Sequence, residues 1–233
     1  MSEAARKPSS RTRETRAKII ATAEQLFAER GVDSVSLNEI TRAAEQKNRN
    51  AVHYHFGSKD ALIQAIFEKH WQPIGALRRQ LLAEMEQQQP ITLEAIAGAL
   101  VLPVAARFED PDGGLAYIKI SAQLAATNTL RFFSPGDSAN SGTDRSKDPG
   151  GNMTPLWAPF LESLPAAVRD QRMSLVVGML FHGLADHAVF RDRGGAGLAN
   201  TELMVSNLID SICAVLRAPV SAQTLDRCTQ IPA

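Results

Sequence analysis

The sequence predicts an all-α protein, with a small three-helix unit at the N-terminus and a larger helical body behind it. Three observations predict this. Apolar residues recur at helical spacing through most of the 233 residues. Strand signals are scarce, while alanine, leucine, glutamine and glutamate, which fit helices, are plentiful. Serine and threonine stand where helices should begin, and glycine where they should end.

Residues 1–11 carry Arg6, Lys7 and Arg11 among Ser, Pro and Ala, and read as a flexible basic arm. In the first helix Ile19, Ala23, Leu26 and Phe27 follow the spacing of one buried face, and Gly31 stops it. Ser36-Leu37-Asn38-Glu39 matches a capping box: the serine caps a short second helix and the glutamate reaches back. Leu37, Ile40 and Ala44 form its apolar face. A third short helix is expected over about 48–55, with Val52 and Phe56 inward and small Ala51 permitting close approach to a partner. Gly57-Ser58 breaks the chain, and Ser58 caps a longer fourth helix whose stripe runs through Ile63, Phe67, His70, Ile74, Leu77 and Leu81. Pro73 should kink it, because proline removes a hydrogen bond and crowds the preceding turn.

Thr92 is placed to cap the next helix, expected to reach about Phe108, and residues 110–114 (Asp-Pro-Asp-Gly-Gly) are a turn. A helix over about 115–130 follows. Residues 134–152, rich in Ser, Gly, Asp, Asn and Pro, read as a mobile loop. Two strong helices, about 165–191 and 200–216, complete the body, and 219–233 reads as a loose tail.

The formal net charge is zero, but residues 1–60 carry +3 and the remainder −3, so a polyanion would meet the head. Cys213 and Cys228 lack metal or redox spacing, and the N-terminus lacks an apolar signal core, which together predict a cytoplasmic protein. The longest apolar stretch, 95–106, is too short to span a bilayer.

Function should reside in the third helix and the turn before it. Lys47, Asn48, Arg49 and Asn50, followed by His53 and Tyr54, mix cations for phosphate with forked side chains for base edges. Arginine can pair with guanine and asparagine with adenine in the major groove. Alone, such a cluster reads more readily as a solvated polar turn.

Residues 12–72 resemble the DNA-binding domain of the TetR family of regulators. The matching pieces are 23–31 (Ala-Glu-Gln-Leu-Phe-Ala-Glu-Arg-Gly), 36–40 (Ser-Leu-Asn-Glu-Ile) and 51–62, from Ala51-Val52-His53-Tyr54-His55-Phe56 to Leu62. The resemblance implies a helix-turn-helix DNA-binding domain over 12–57, extending in the family to about 72, and a helical effector and dimerisation domain over 58–218. Ser36 would touch phosphate, Lys47 to Asn50 bases and nearby phosphates, His53 and Tyr54 the DNA backbone, and Lys59 phosphate at a helix N-terminus. The stretch before Ala51 is one residue longer than the commonest pattern, and His53 stands where tyrosine is frequent.

The resemblance further implies a homodimer through the last two long helices, packed as a four-helix bundle on a near-palindromic operator in double-stranded DNA. The apolar residues Val168, Leu175, Val176, Met179, Leu180 and Leu184, and then Leu208, Ile209, Ile212, Val215 and Leu216, independently ask for cover. Repression, relieved by a small hydrophobic effector, is the family's usual mode. Trp71, Phe108, Tyr117, Leu124 and Trp157 are candidates for an effector cavity, although such residues are more often simply core.

His182 and Asp186, four apart on one helix face, could hold a polar ligand group or a metal; a satisfied hydrogen bond is the commoner role. His53 and His55, two apart, point to different sides and make a poor metal pair. No catalytic motif is present: no Gly-x-Ser-x-Gly elbow, phosphate-cradling Gly-Lys-Ser loop or His-Glu-x-x-His. The expectation is a protein with no catalytic residues, no metal and no cofactor. An enzyme centred on His182 and Asp186, or a DNA-associated protein without sequence preference, are the competing readings.

Overall fold

The computed structural model describes residues 9–87, 89–126, 153–194 and 197–230. The expected loop over 134–152, the far end of the helix expected over 115–130, and most of the basic arm lie outside them. The described residues are all-α.

The head has three helices: α1 (Ser10–Arg30), α2 (Leu37–Ala43) and α3 (Ala51–Phe56). Helix α1 begins inside the stretch expected to be arm, because the Ser9 hydroxyl accepts the Thr12 N–H at 3.2 Å. It ends at Gly31, whose φ of 91° suits glycine. Ile19, Ala23 and Phe27 are buried as the spacing required, while Leu26 is half-buried. The capping box of α2 forms in both directions: the Ser36 hydroxyl accepts the Glu39 N–H, and the Glu39 carboxylate accepts the Ser36 N–H.

Helix α4 (Lys59–Gln87) belongs to both halves. Leu62, Ile63 and Ile66 are buried near its start, and it packs on α1 and α3 of the head and on α5 (Leu93–Ala105) and α6 (Gly114–Ala126) of the body. It begins with the Ser58 hydroxyl accepting the Ala61 N–H, and runs on through Pro73 to Gln87.

Thr92 caps α5, which stops at Ala105, short of the expected end; Ala106–Glu109 tighten into a 3₁₀ turn. Pro103 in α5 has no N–H to give the Ala99 carbonyl four residues back. The Arg78 side chain of α4 donates its Nε–H to that carbonyl at 3.2 Å, so a proline defect becomes an inter-helix tie.

A short helix, α7 (Thr154–Leu161), precedes α8 (Ala166–Arg193) and α9 (Thr201–Arg217). Sequence patterning missed α7 because Pro155 and Pro159 interrupt it. Residues Ala222–Cys228 form α10, where a loose tail was expected; the Ser221 hydroxyl accepts the Thr224 N–H and starts the turn. Helix α8 is long and apolar enough by composition to cross a membrane, but Val176, Leu180 and Leu184 are buried against the body and it packs on α6 and α9, as a core helix does.

Candidate nucleic-acid interface

The third helix is shorter than the sequence suggested. The six-residue α3 starts at Ala51, and residues 47–50 form the approach to it. Ala51 and Val52 are buried in the head core, so Ala51 serves packing against the head and does not face a groove as expected. That anchoring sets the outward face: Lys47, Asn48, Arg49, Asn50 and His53 are exposed, and Tyr54 is 79% exposed. An exposed tyrosine of that degree is a large amphipathic side chain left without cover.

The approach is held by its own polar groups. Glu45 sits in the left-handed region at φ 53°, a position that favours glycine. Its carboxylate pairs with Lys18 of α1 at 2.5 Å, and that ion pair lowers the Glu45 pKa. The Asn48 side-chain oxygen accepts the Asn50 N–H at 2.9 Å, closing a local turn, while the Asn48 carbonyl accepts the Ala51 N–H. Asn48 thus spends its acceptor on shaping the turn; Lys47, Arg49 and Asn50 keep their side chains outward.

The flanking phosphate candidates differ. Ser36 is exposed at the start of α2, but its hydroxyl donates to Glu39 Oε2 at 2.9 Å. The Glu39 carboxyl is lowered to about 2, first by the Ser36 N–H, then by the Arg30 guanidinium. Lys59 is half-buried at the start of α4, its ammonium 5.7 Å from the centre of the Phe27 ring and reaching the Asp33 carbonyl at 3.5 Å.

Sequence reasoning missed Arg16. Its guanidinium donates to the His55 carbonyl and lies 4.2 Å above the Phe56 ring, tying the end of α3 to α1. Burial, then the Arg16 charge, lowers the His55 pKa. Nothing in local spacing signals Arg16, which acts across 39 positions of chain.

The effector candidates are only partly assembled. Tyr117 is buried between Phe67 (ring centres 5.3 Å) and His70 (4.8 Å), and Trp71 packs edge-on against Phe67 at 5.9 Å. Burial pushes the Tyr117 hydroxyl up to about 12, against the opposing pull of Ser121. Phe108 packs on His187 at 5.5 Å and under the Arg191 guanidinium at 5.3 Å. Leu124 and Trp157 are buried core. His182 and Asp186 are exposed on the outer face of α8, away from this aromatic group, while neighbouring His187 is buried against Thr201 at 2.9 Å. No group of three metal-ligating side chains occurs among the described residues.

Three helices joined by short turns, with the approach to the third presenting cations and amides to solvent, have the layout of a helix-turn-helix unit. Residues 19–66 match the family model described as "Bacterial regulatory proteins, tetR family". The HTH-type transcriptional regulator AcrR of Shigella flexneri is 39% identical over 80 residues, 34% of this chain and 37% of that protein. The uncharacterized HTH-type transcriptional regulator TtgW of Pseudomonas putida is 36% identical over 70 residues, 30% of this chain and 52% of its own. The likeness therefore spans about a third to a half of those relatives. A solved TetR-family transcriptional regulator from Pectobacterium atrosepticum aligns over 91% of this chain and 96% of that one, at 19% identity and a TM-score of 0.36. Over residues 19–66 the chain is thus similar to the DNA-binding domain of TetR-family regulators.

Proposed function

We propose that this chain is a sequence-specific DNA-binding transcription regulator, acting as a homodimer, with no catalytic activity of its own. The single observation that carries this reading is the exposed row of Lys47, Arg49, Asn50, His53 and Tyr54, held outward by buried Ala51 and Val52. Cations on that row neutralise phosphates, and its arginine and asparagine read base edges. Two copies of so short a reading element address two half-sites of a near-palindromic operator about one helical turn apart or slightly more.

The α8–α9 face supports the dimer. Leu175 and Leu203 are each 58% exposed, and between the helices lies a groove of about 320 Å³ lined by Met179, Gly183, Met204, Asn207, Leu208 and Ser211. A Cβ on Gly183 would stand 3.3 Å from the Met204 Sδ-methyl, so the missing side chain lets the two helices close up. Apolar residues left uncovered on adjacent helices are what a matching pair from a second copy would bury.

Repression relieved by a small hydrophobic effector is the mode that fits a body of this kind. Its site would lie at the aromatic group of Trp71 and Tyr117, with Arg107, whose buried Nε–H has no protein partner, as a polar anchor. An effector acts only through different affinities for the DNA-competent shape and the released shape. The protein would work in the cytoplasm, where operator DNA is.

Fluorescence anisotropy with the DNA upstream of its own coding region tests the reading. Specific binding should persist at moderate salt and collapse for scrambled DNA. Equal affinity for both sequences would discard sequence-specific regulation.

A further inference from the structure

The head and the body are joined by α4, but they are also clamped along a second line, between α1 and α6. The Gln123 amide of α6 makes two hydrogen bonds to head backbone. Its Nε2 donates to the Phe27 carbonyl at 3.0 Å, and its Oε1 accepts the Val32 N–H at 2.8 Å. Those two groups bracket Gly31, the elbow between α1 and the segment entering α2. The end of a helix leaves backbone groups short of partners; here a side chain 91 positions away supplies an acceptor for the Val32 N–H and adds a second donor to the Phe27 carbonyl, which already accepts the Gly31 N–H.

A second grip lies two turns back along α1. The Glu24 carboxylate, 2% exposed, accepts from Lys69 Nζ at 2.8 Å and meets His70 Nε2 at 2.7 Å. Lys69 also bonds Asp112 of the body at 2.8 Å, and Gly113 closes directly over Glu24. The two grips follow one another in the same order along α1 (Glu24, then Phe27 to Val32) and along the body (Gly113, then Gln123). Helix α1 is thereby fixed in both position and rotation relative to α6.

Resting on the dimeric DNA-regulator reading above, we infer that Gln123 is a positioning residue for operator recognition: it sets how strictly the protein discriminates the spacing of two half-sites. Gln123 belongs to the body, is half-buried and holds head backbone at the end of α1, and it is not one of the exposed residues of the reading surface. Its two bonds determine how far the elbow, and with it α2 and α3, can turn while the dimerisation face stays still. Without them each head keeps its own contacts to a half-site but swings about α4. The protein then binds correctly spaced and misspaced operators more nearly alike.

The test compares wild type, Gln123→Ala and Gln123→Glu on three operators: the preferred one, and the same half-sites moved apart or together by a single base pair. The glutamate variant keeps an acceptor for the Val32 N–H but turns a carboxylate oxygen toward the Phe27 carbonyl, replacing that bond by repulsion, and so gives a second probe besides alanine. Two hydrogen bonds of ordinary strength predict a loss of about tenfold in spacing discrimination for Gln123→Ala, and at least as large a loss for Gln123→Glu, whose carboxylate repels the Phe27 carbonyl. Affinity for a single half-site should stay unchanged, a result that general destabilisation would not give. Amide exchange at Val32 should accelerate in Gln123→Ala. If wild type discriminates spacing and both variants discriminate it equally well, or if wild type binds its operator with no spacing preference, this inference falls alone. If wild type shows no sequence-specific binding, the regulator reading falls with it.

Discussion

Substituting Gly113 by alanine tests the head–body junction with a perturbation of one methyl group. Two costs can be worked from the structure. Gly113 has φ 83°, and placing an L-residue there costs about 1–2 kcal/mol. The new Cβ would also stand 2.4 Å from Glu24 Oε2, a distance that real contacts do not tolerate. A flexible surface glutamate would swing away at little cost. Glu24 is 2% exposed and pinned by Lys69 and His70, so moving it breaks at least one charge-assisted hydrogen bond, about 1.5–3 kcal/mol. The total is about 3–4 kcal/mol, which lowers the melting temperature by roughly 10 °C in a chain of this size. The assay is a double-mutant cycle by chemical denaturation at fixed protomer concentration. Glu24→Ala alone should destabilise, since it strips a buried pair of one partner. In that background Gly113→Ala should cost only the backbone strain, leaving a coupling of about 2 kcal/mol between the sites. Equal cost of Gly113→Ala in both backgrounds would show that the contact with Glu24 is not what forbids a side chain there.

Further expectations concern the reading surface, the dimer and acid stability. Lys47→Ala and Arg49→Ala should each reduce the slope of log affinity against log salt, by about one where the side chain meets only phosphate, while a loss confined to one base position would mark a base contact. Paired Leu175→Glu and Leu203→Glu substitutions should yield a folded monomer by sedimentation and abolish operator binding at concentrations where wild type binds; a dimer surviving both would place the interface elsewhere. The Glu39 carboxyl is depressed from 4.5 to about 2 in the folded state, so its contribution is present above the unfolded value and is lost as pH falls from 4.5 towards 2. Glu39→Gln should therefore lose less stability than wild type between pH 5 and about 2.5 in urea unfolding, and identical acid limbs would refute the role of the capping box.

Much of this architecture was legible because it is local. The capping box at Ser36 and Glu39, the Ser58 and Thr92 caps and the stop at Gly31 each depend on residues within a turn or two of one another, and each forms as the spacing required. The same locality explains the misreadings. Helix α3 was expected over about 48–55 because residues 47–50 carry no helix breaker; instead the Asn48 side chain takes the Asn50 N–H, offering the backbone an alternative to helix. Prolines hid α7, and the spacing of His182 and Asp186 reports a shared face without reporting that this face is exposed. The candidate reading residues Lys47, Arg49 and Asn50 could be proposed from sequence since their chemistry is declared by residue type, and solvent exposure needs no partner.

The junction was illegible for the converse reason. Nothing within ten positions of Gln123 distinguishes it from any other glutamine on a helix; its meaning arises when α6 is laid against α1. Glu24 read as one more charged residue of the matched 23–31 segment, yet it is buried where Lys69, His70 and Gly113 converge from two other parts of the chain. A buried carboxylate at such a meeting point is a costly choice unless its partners are all in place, so the pieces stand or fall together. That interdependence can carry a signal between halves: a body whose α6 shifts cannot keep both the Gln123 bonds and the Glu24 pair intact unless α1 follows. On the proposed reading, the residues facing DNA would be only half of what specificity requires, the other half being the contacts of Gln123 and Glu24 that set where α2 and α3 sit relative to the body.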